Sequence, residues 1–386
     1  MRPRRAAARR GGAPAITLLL LLLLAGAYLY QSGALGRIAA GARAQLGLAG
    51  PQAAADQAAA GAIQAFFTTP FLVYPDRPQQ RPTVPLLQAV VADIDAARAS
   101  VDLASFDFDI VEVAEALLRA QARGVAVRVV VDSENLDTPE VAELTGRLQR
   151  AGVPVRFDRR EPFMHDKFVV VDGAIAWAGS WNVTTNDTFR NNNNMLRLAS
   201  KQIAADYTRE FEQLVAGRFG TGKTSATPYP QVRLGPARVE VYFSPEDGVA
   251  RHVLERLRAA KTSIHFMAFS FTSDAIADAL VAKAKAGLAV RGVFETQNAS
   301  GSGADFGRLR QGGVDVLEDG NCYILHHKVI VIDTRTVITG SYNFTSSAEK
   351  DNDENLVIVD DPALARAYLD EFDRVYAQAE APTRCR

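Results

Sequence analysis

Cysteine and histidine are scarce in this chain, with two Cys (Cys322 and Cys385) and five His among 386 residues. No His or Cys cluster has the spacing of metal ligands, and no cofactor is expected. The two thiols leave two readings open. Outside the cytosol they can pair, with Cys385 on a tail that reaches back, or they stay unpaired with one buried beside a strand. A surplus of charge is also missing: the formal net charge is -1, and nothing global advertises nucleic acid. With 48% hydrophobic and 23% charged residues the chain is globular and not disordered. It is long enough for two ordinary domains or one large one.

What charge asymmetry exists sits at the start. MRPRRAAARR carries five Arg and precedes the uncharged run ITLLLLLLLAGAYLY; without those five, 38 basic residues face 44 acidic ones. A basic stretch of residues 1–12 followed by an apolar span of 13–35 reads as an export signal with its positive end cytoplasmic. The run is long enough to cross a bilayer, and only a marginal small-x-small site, SGA (32–34), closes it, which favours an uncleaved signal-anchor over a cleaved signal. The expected location is outside the cytoplasm, tethered to the membrane by this helix, or secreted if the signal is cut. Residues 36–66 are Ala-rich with scattered Gln and Gly and read as a stalk.

From Phe67 onward the chain repeats itself. ARASVDLASFDF (97–108) matches AKTSIHFMAFSF (260–271), and GVAVRVVVD (124–132) matches GLAVRGVFE (287–295), both at an offset of 163. Further on the offset is 161. Strand-like β-branched runs alternate with helices of i, i+3, i+4 apolar spacing, as in VEVAEALLRAQARG, so the fold class is α/β, duplicated. Residues 67–217 form repeat 1 and 238–378 repeat 2; the Gly/Pro/Thr-rich stretch 218–237 reads as an exposed linker and 379–386 as a tail. Within the linker, GRFGTGKT (217–224) satisfies the Walker A pattern letter by letter. A helical pattern precedes it and TPYP follows, where a phosphate loop needs a strand before and a helix after, so nucleotide binding is not expected.

The later offset joins two polar patterns. His165, Lys167, Asp172, Gly179, Ser180 and Asn182 recur as His326, Lys328, Asp333, Gly340, Ser341 and Asn343, and Asn194 and Asn355 lie at matched distances beyond. On a strand, residues i and i+2 share a face, so each His and Lys point one way while Asp166 and His327 point the other. His327 is therefore expected to tolerate replacement far better than His326. A pseudo-twofold between the repeats would bring two imidazoles, two ammoniums, two amides and two hydroxyls around one anionic centre. That set suits a phosphoryl group, with one His attacking in line and the other protonating the leaving oxygen.

These residues resemble the phospholipase D superfamily, whose motif His-x-Lys-x4-Asp-x6-Gly-Ser-x-Asn is usually present twice. HDKFVVVDGAIAWAGSWN (165–182) and HHKVIVIDTRTVITGSYN (326–343) both match in full, and FSPEDG (243–248) with SFTS (270–273) looks most like the compact bacterial members, endonucleases among them. The resemblance implies two tandem phospholipase D-like repeats, each a mixed β-sheet flanked by helices. It also implies a metal-independent phosphodiesterase working through a phosphohistidine on His165 or His326. Lys167, Lys328, Asn182 and Asn343 would hold phosphate oxygens, with Ser180 and Ser341 in support. Asp172 and Asp333, part of the catalytic motif, would hold the two halves and the motif in shape. Members often carry a downstream acid that orients a catalytic His. Glu354 supplies it in the second copy, whereas the first copy has Asn193 there, so the two His are inequivalent.

Both half-sites in one chain imply a monomer. The membrane tether favours a phospholipid headgroup ester as substrate, hydrolysed or exchanged by phosphatidyl transfer. An exported endonuclease is the alternative, disfavoured by the acidic body; a catalytically idle binding module is disfavoured by two intact motifs.

Overall fold

The computed structural model describes residues 61–382 and Cys385. The basic n-region, the signal-anchor and the first 25 residues of the stalk lie outside the described residues, and no described helix is long and apolar enough to cross a membrane.

Residues 61–386 cluster as one compact unit holding two sheets. The first is built from β1 (Ile63–Phe67), β2 (Ser100–Ser105), β3 (Ala126–Asp132), β4 (Val155–Asp158), β5 (Lys167–Val171), β6 (Ile175–Gly179) and β7 (Asn194–Ala199), in the order β1-β7-β6-β5-β2-β3-β4. The second contains β8 (Gln231–Leu234), β9 (Ala237–Ser244), β10 (Ser263–Ala268), β11 (Ala289–Phe294), β12 (Asp315–Glu318), β13 (Lys328–Ile332), β14 (Thr336–Gly340) and β15 (Glu354–Asp360), ordered β12-β11-β10-β13-β14-β15-β9-β8. In each, three strands run parallel through helical crossovers, and the His-bearing strand joins them antiparallel (β2·β5, β10·β13). The duplicated α/β architecture read from the sequence is the one observed.

Alternation along the motif strands explains how the sheets stack. Val169 and Val171 face an outer core with the helices Pro85–Ala96 and Val111–Ala122, while Phe168 and Val170 face a central core. In β13, Ile330 and Ile332 lie outward and Val329 and Val331 face that same central core. The helices Lys201–Val215 and Pro362–Glu380 bring Tyr207, Phe211, Tyr368 and Phe372 into it. Because both faces of β5 and β13 are covered, their sequences (KFVVV, KVIVI) show no polar alternation.

Two segments differ from the sequence reading. The strand Ile63–Phe67, all but its last residue taken as stalk, is an edge strand paired antiparallel with β7, and occupies the place that β9 takes beside β15. The β7 and β15 strands extend each sheet one strand beyond the partner of the His-bearing strand. The linker is not simply exposed: Gln231–Leu234 forms β8, and Lys223 is buried. Cys322 and Cys385 form a disulfide that ties the tail to the segment preceding His326.

Candidate active site

The Gly of each Gly-Ser-x-Asn motif has a steric origin. A Cβ at Gly179 would stand 2.2 Å from the Asn194 carbonyl oxygen, and one at Gly340 the same distance from that of Asn355. Only glycine lets the end of β6 and β14 approach the residues that open β7 and β15. That approach draws the Ser-x-Asn segments against the His-x-Lys segments.

His165 and His326 lie just ahead of β5 and β13, at the end of each sheet where the parallel strands β2 and β10 terminate. Each is held by the opposite repeat: the His165 amide donates to the Asp353 carbonyl at 2.9 Å, and the His326 amide to that of Asn192 at 3.0 Å. The two His-Lys pairs thereby share one centre. His165 is pressed well below the ordinary imidazole range by burial and by the charges of both Lys167 and Lys328. Burial brings Lys167 down to about 8 and, together with Lys167, takes Lys328 well below its ordinary value. Each ammonium donates to the carbonyl of its own motif His, Lys167 at 2.7 Å and Lys328 at 2.9 Å. An anion placed between two lysines crowded this way would favour their charged forms.

The Nδ1 atoms are engaged across the repeats as well. His165 Nδ1 meets Glu354 Oε2 at 2.8 Å, so the acid of the second copy serves the histidine of the first. His326 Nδ1 meets Asn193 Oδ1 at 2.9 Å, and in addition Asp187 Oδ2 at 3.3 Å. Asp187 is the residue that sequence reasoning missed; its signal was a carboxylate at the place where the second repeat has Ala348. With Nδ1 occupied on both rings, Nε2 is the nitrogen left for chemistry. Phe106 packs 5.2 Å from the His165 ring and Phe269 4.9 Å from that of His326, matching rings at the offset of the early repeat.

Burial raises the Glu354 carboxyl to about 8 while lowering His165, so the pair titrates as a unit that keeps its extra proton through neutral pH. Glu354→Gln should then lower kcat by roughly 10- to 100-fold. It should also move the limb of the pH–rate profile belonging to His165 to lower pH, because the partner that stabilised the protonated pair is gone. An unmoved profile with normal kcat would remove the orienting role.

Ser180 Oγ donates to Asn193 Oδ1 at 2.9 Å and accepts from the Asn194 amide, and Ser341 Oγ accepts from the Asn355 amide at 2.9 Å. The serines thus brace the residues that hold the imidazoles. Asn182 and Asn343 each leave a buried side-chain oxygen without a partner, the same polar atom at both pseudo-equivalent positions. On the opposite face, Asn355 donates to Asp166 at 2.8 Å, while Asn194 Nδ2 lies 2.9 Å from His327 Nδ1. These bonds between repeats set their relative register. His327 is fully buried and pairs with Glu371 at 2.9 Å. Its expected tolerance to replacement therefore concerns turnover and not stability: without His327 the buried Glu371 keeps, among the described residues, only Arg374, and Asn194 Nδ2 loses a buried bond.

Asp172 and Asp333 do not reach this centre. Each lies five residues past its motif Lys, roughly 16 Å along the strand. The Asp172 carboxylate accepts from the amides of Arg98, Ala99 and Ser100, and that of Asp333 from Lys261, Thr262 and Ser263, each within its own repeat. They clamp backbone amides of their own repeat and do not join the two halves, and their place in the catalytic set is corrected, since they lie away from the shared centre. Burial opposes the charge of Asp172, yet those amides outweigh it and hold the pKa below the ordinary value. Asp172→Asn, which tolerates the left-handed backbone at φ 52°, should lose about 1–2 kcal/mol at neutral pH with kcat preserved. Because the folded pKa is depressed, the difference should vanish as pH falls below the native value, readable by urea unfolding at several pH values.

The Walker-like stretch is likewise accounted for. Lys223 is fully buried and pairs with Glu210, with Glu246 at 3.1 Å and with Asp353 at 3.1 Å. Burial opposes its charge, but these carboxylates raise its pKa well above the ordinary value. Its ammonium braces the segment carrying Glu354 and is closed to a nucleotide.

A sequence model described as "Cardiolipin synthase, PLD-like domain" matches residues 90–215 and 253–376, well over half of the chain. The chain belongs to this phospholipase D-like family, whose class of chemistry is phosphodiester cleavage. Among its relatives, a phospholipase D of Rickettsia prowazekii is 30% identical over 171 residues, covering 44% of this chain and 83% of that protein. A mitochondrial cardiolipin hydrolase of Xenopus laevis is 33% identical over 137 residues, 36% of this chain and 65% of its own. The solved phosphatidylserine synthase of Haemophilus influenzae shares the fold across 86% of this chain and 91% of its own, with a TM-score of 0.60 at 13% identity.

Proposed function

We propose that the protein hydrolyses the headgroup ester of a phospholipid, or transfers its phosphatidyl group to an alcohol, through a phosphohistidine. The observation that carries this reading is the convergence of two His-Lys pairs, each imidazole held at Nδ1 by a group from the other repeat. One Nε2 attacks phosphorus, forming the P–N bond as the P–O bond to the leaving alcohol breaks. The second imidazolium gives that alkoxide its proton. The second imidazole then takes a proton from water or an acceptor alcohol, whose oxygen displaces the histidine and breaks the P–N bond. Lys167, Lys328 and the amides of Asn182 and Asn343 hold the non-bridging oxygens as charge shifts onto them.

The lipid reading is supported by the names of the matching family and of the relatives above, and by the apolar run near the N-terminus. That run would tether a monomer to the membrane facing outside the cytoplasm, a location that the Cys322–Cys385 disulfide also supports. The competing substrate is nucleic acid, for which Phe106 and Phe269 beside the imidazoles offer stacking surfaces. The full-length protein in detergent, with excess EDTA, should release headgroup from labelled phosphatidylglycerol or cardiolipin and leave plasmid and single-stranded DNA intact. DNA cleavage without headgroup release overturns the lipid reading. Loss of all turnover in EDTA, recovered with a divalent cation, overturns the metal-independent mechanism.

A further inference from the structure

We infer that Asp187 is the positioning carboxylate of His326, relocated by six residues relative to the one that serves His165. The two repeats solve the same problem with exchanged residues. At the positions 161 apart, repeat 2 has Ala348 and Glu354, and repeat 1 has Asp187 and Asn193. Where the acid is missing from the strand end, an acid has entered the short helix Thr185–Phe189, which repeat 2 matches with Ser346–Lys350.

The geometry is specific. Asp187 is 2% exposed, and its Oδ2 lies 3.3 Å from His326 Nδ1 while accepting from the Asn182 amide at 2.7 Å. Its Oδ1 accepts from Asn191 Nδ2 at 2.7 Å, and its carbonyl from Asn193 Nδ2 at 3.2 Å. That last bond turns the Asn193 oxygen toward His326, so one residue supplies the charge and also aims the amide. The charged groups around His326 are Asp187, Lys328 and Lys167; burial brings its pKa to about 4 against the pull of Asp187. Asp187 is itself held below the ordinary range, against burial, chiefly by His326. Asp107 and Asp109 are the other acids that feel its charge. Asp187 touches no reacting atom; it acts through His326. This role rests on the phosphodiesterase reading only for its kinetic consequence.

The test uses the full-length protein, whose five histidines make side-chain NMR titration tractable. Asp187→Asn should shift the His326 titration to lower pH more than that of His165, whereas Glu354→Gln should do the reverse. On bis(p-nitrophenyl) phosphate, Asp187→Asn should lower kcat by roughly 10- to 100-fold and move the pH–rate limb of His326 downward. The double variant Asp187→Ala/Asn193→Glu, which copies the repeat 2 arrangement, should recover most of what Asp187→Ala loses. An unmoved His326 titration in Asp187→Asn overturns the assignment, and so does a double variant no more active than Asp187→Ala. Should the wild type turn over no phosphodiester while the His326 shift is seen, the proposed function fails and the positioning role stands.

Discussion

Replacing either His165 or His326 with alanine is expected to lower kcat by about four orders of magnitude or more, with the fold intact. One imidazole must form the P–N bond and the other must protonate the leaving oxygen, and neither can do both in a single step. Each ring is almost fully buried at the shared centre and reaches its Nδ1 partner in the other repeat, so no neighbouring side chain can substitute. The two losses should be comparable and should not multiply in the double variant, since the pair acts as a unit. His327→Ala provides the contrast. It should lower the melting temperature, since Glu371 Oε1 and Asn194 Nδ2 each lose a buried bond, while the folded fraction keeps turning over substrate. Near-wild-type turnover in either His165→Ala or His326→Ala would end the two-histidine mechanism.

Lys167→Ala and Lys328→Ala should each reduce kcat/KM by about 100- to 1,000-fold, the scale for removing one donor aimed at a developing phosphoryl charge. The effect carries a pH dependence with a definite sign. Burial lowers Lys167 to about 8, so in the free enzyme the ammonium is lost as pH rises through that value. Substrate binding needs the protonated form, and KM should climb above pH 8 while the wild-type fold persists. In Lys167→Ala that rise should move, because the group titrating near 8 is gone and Lys328, relieved of its charge, titrates higher than before. A KM that is flat between pH 7 and 9 in the wild type would remove Lys167 from the phosphate site. Bound phosphate raises the pKa of both ammoniums, so kcat should be less sensitive than KM over the same range.

The duplicated α/β fold was legible because a sheet buried on both faces writes itself as β-branched runs, such as KFVVV and KVIVI, separated by amphipathic helices. The site was legible for a related reason. A polar pattern of fixed spacing, repeated in two otherwise apolar strands, has no packing explanation, and so His165, Lys167, His326 and Lys328 could be named from the chain alone. Strand parity even told which neighbours face away: Asp166 and His327 do point into the interior between the sheets, bonded to Asn355 and Asn194. Other features were invisible for equally physical reasons. Ile63–Phe67 sits in an Ala-rich context that reads as stalk, and only the open edge of β7 makes it a strand.

What the sequence determined by itself is therefore the inventory: two repeats, most of their strands and helices, and the two matched sets of His, Lys, Ser and Asn. What only the tertiary structure decided is who serves whom. Glu354 belongs to His165 and not to the histidine of its own copy, Asp187 replaces the missing acid beside His326, and Lys223 leaves its nucleotide-like motif for a buried carboxylate cluster. Asp172 and Asp333, though inside the motif, end as backbone clamps at the far end of their strands. The reason is distance along the chain. Periodicity and spacing report contacts a few residues apart, whereas these pairs are separated by as many as 189 residues and form only when two sheets close around a common core.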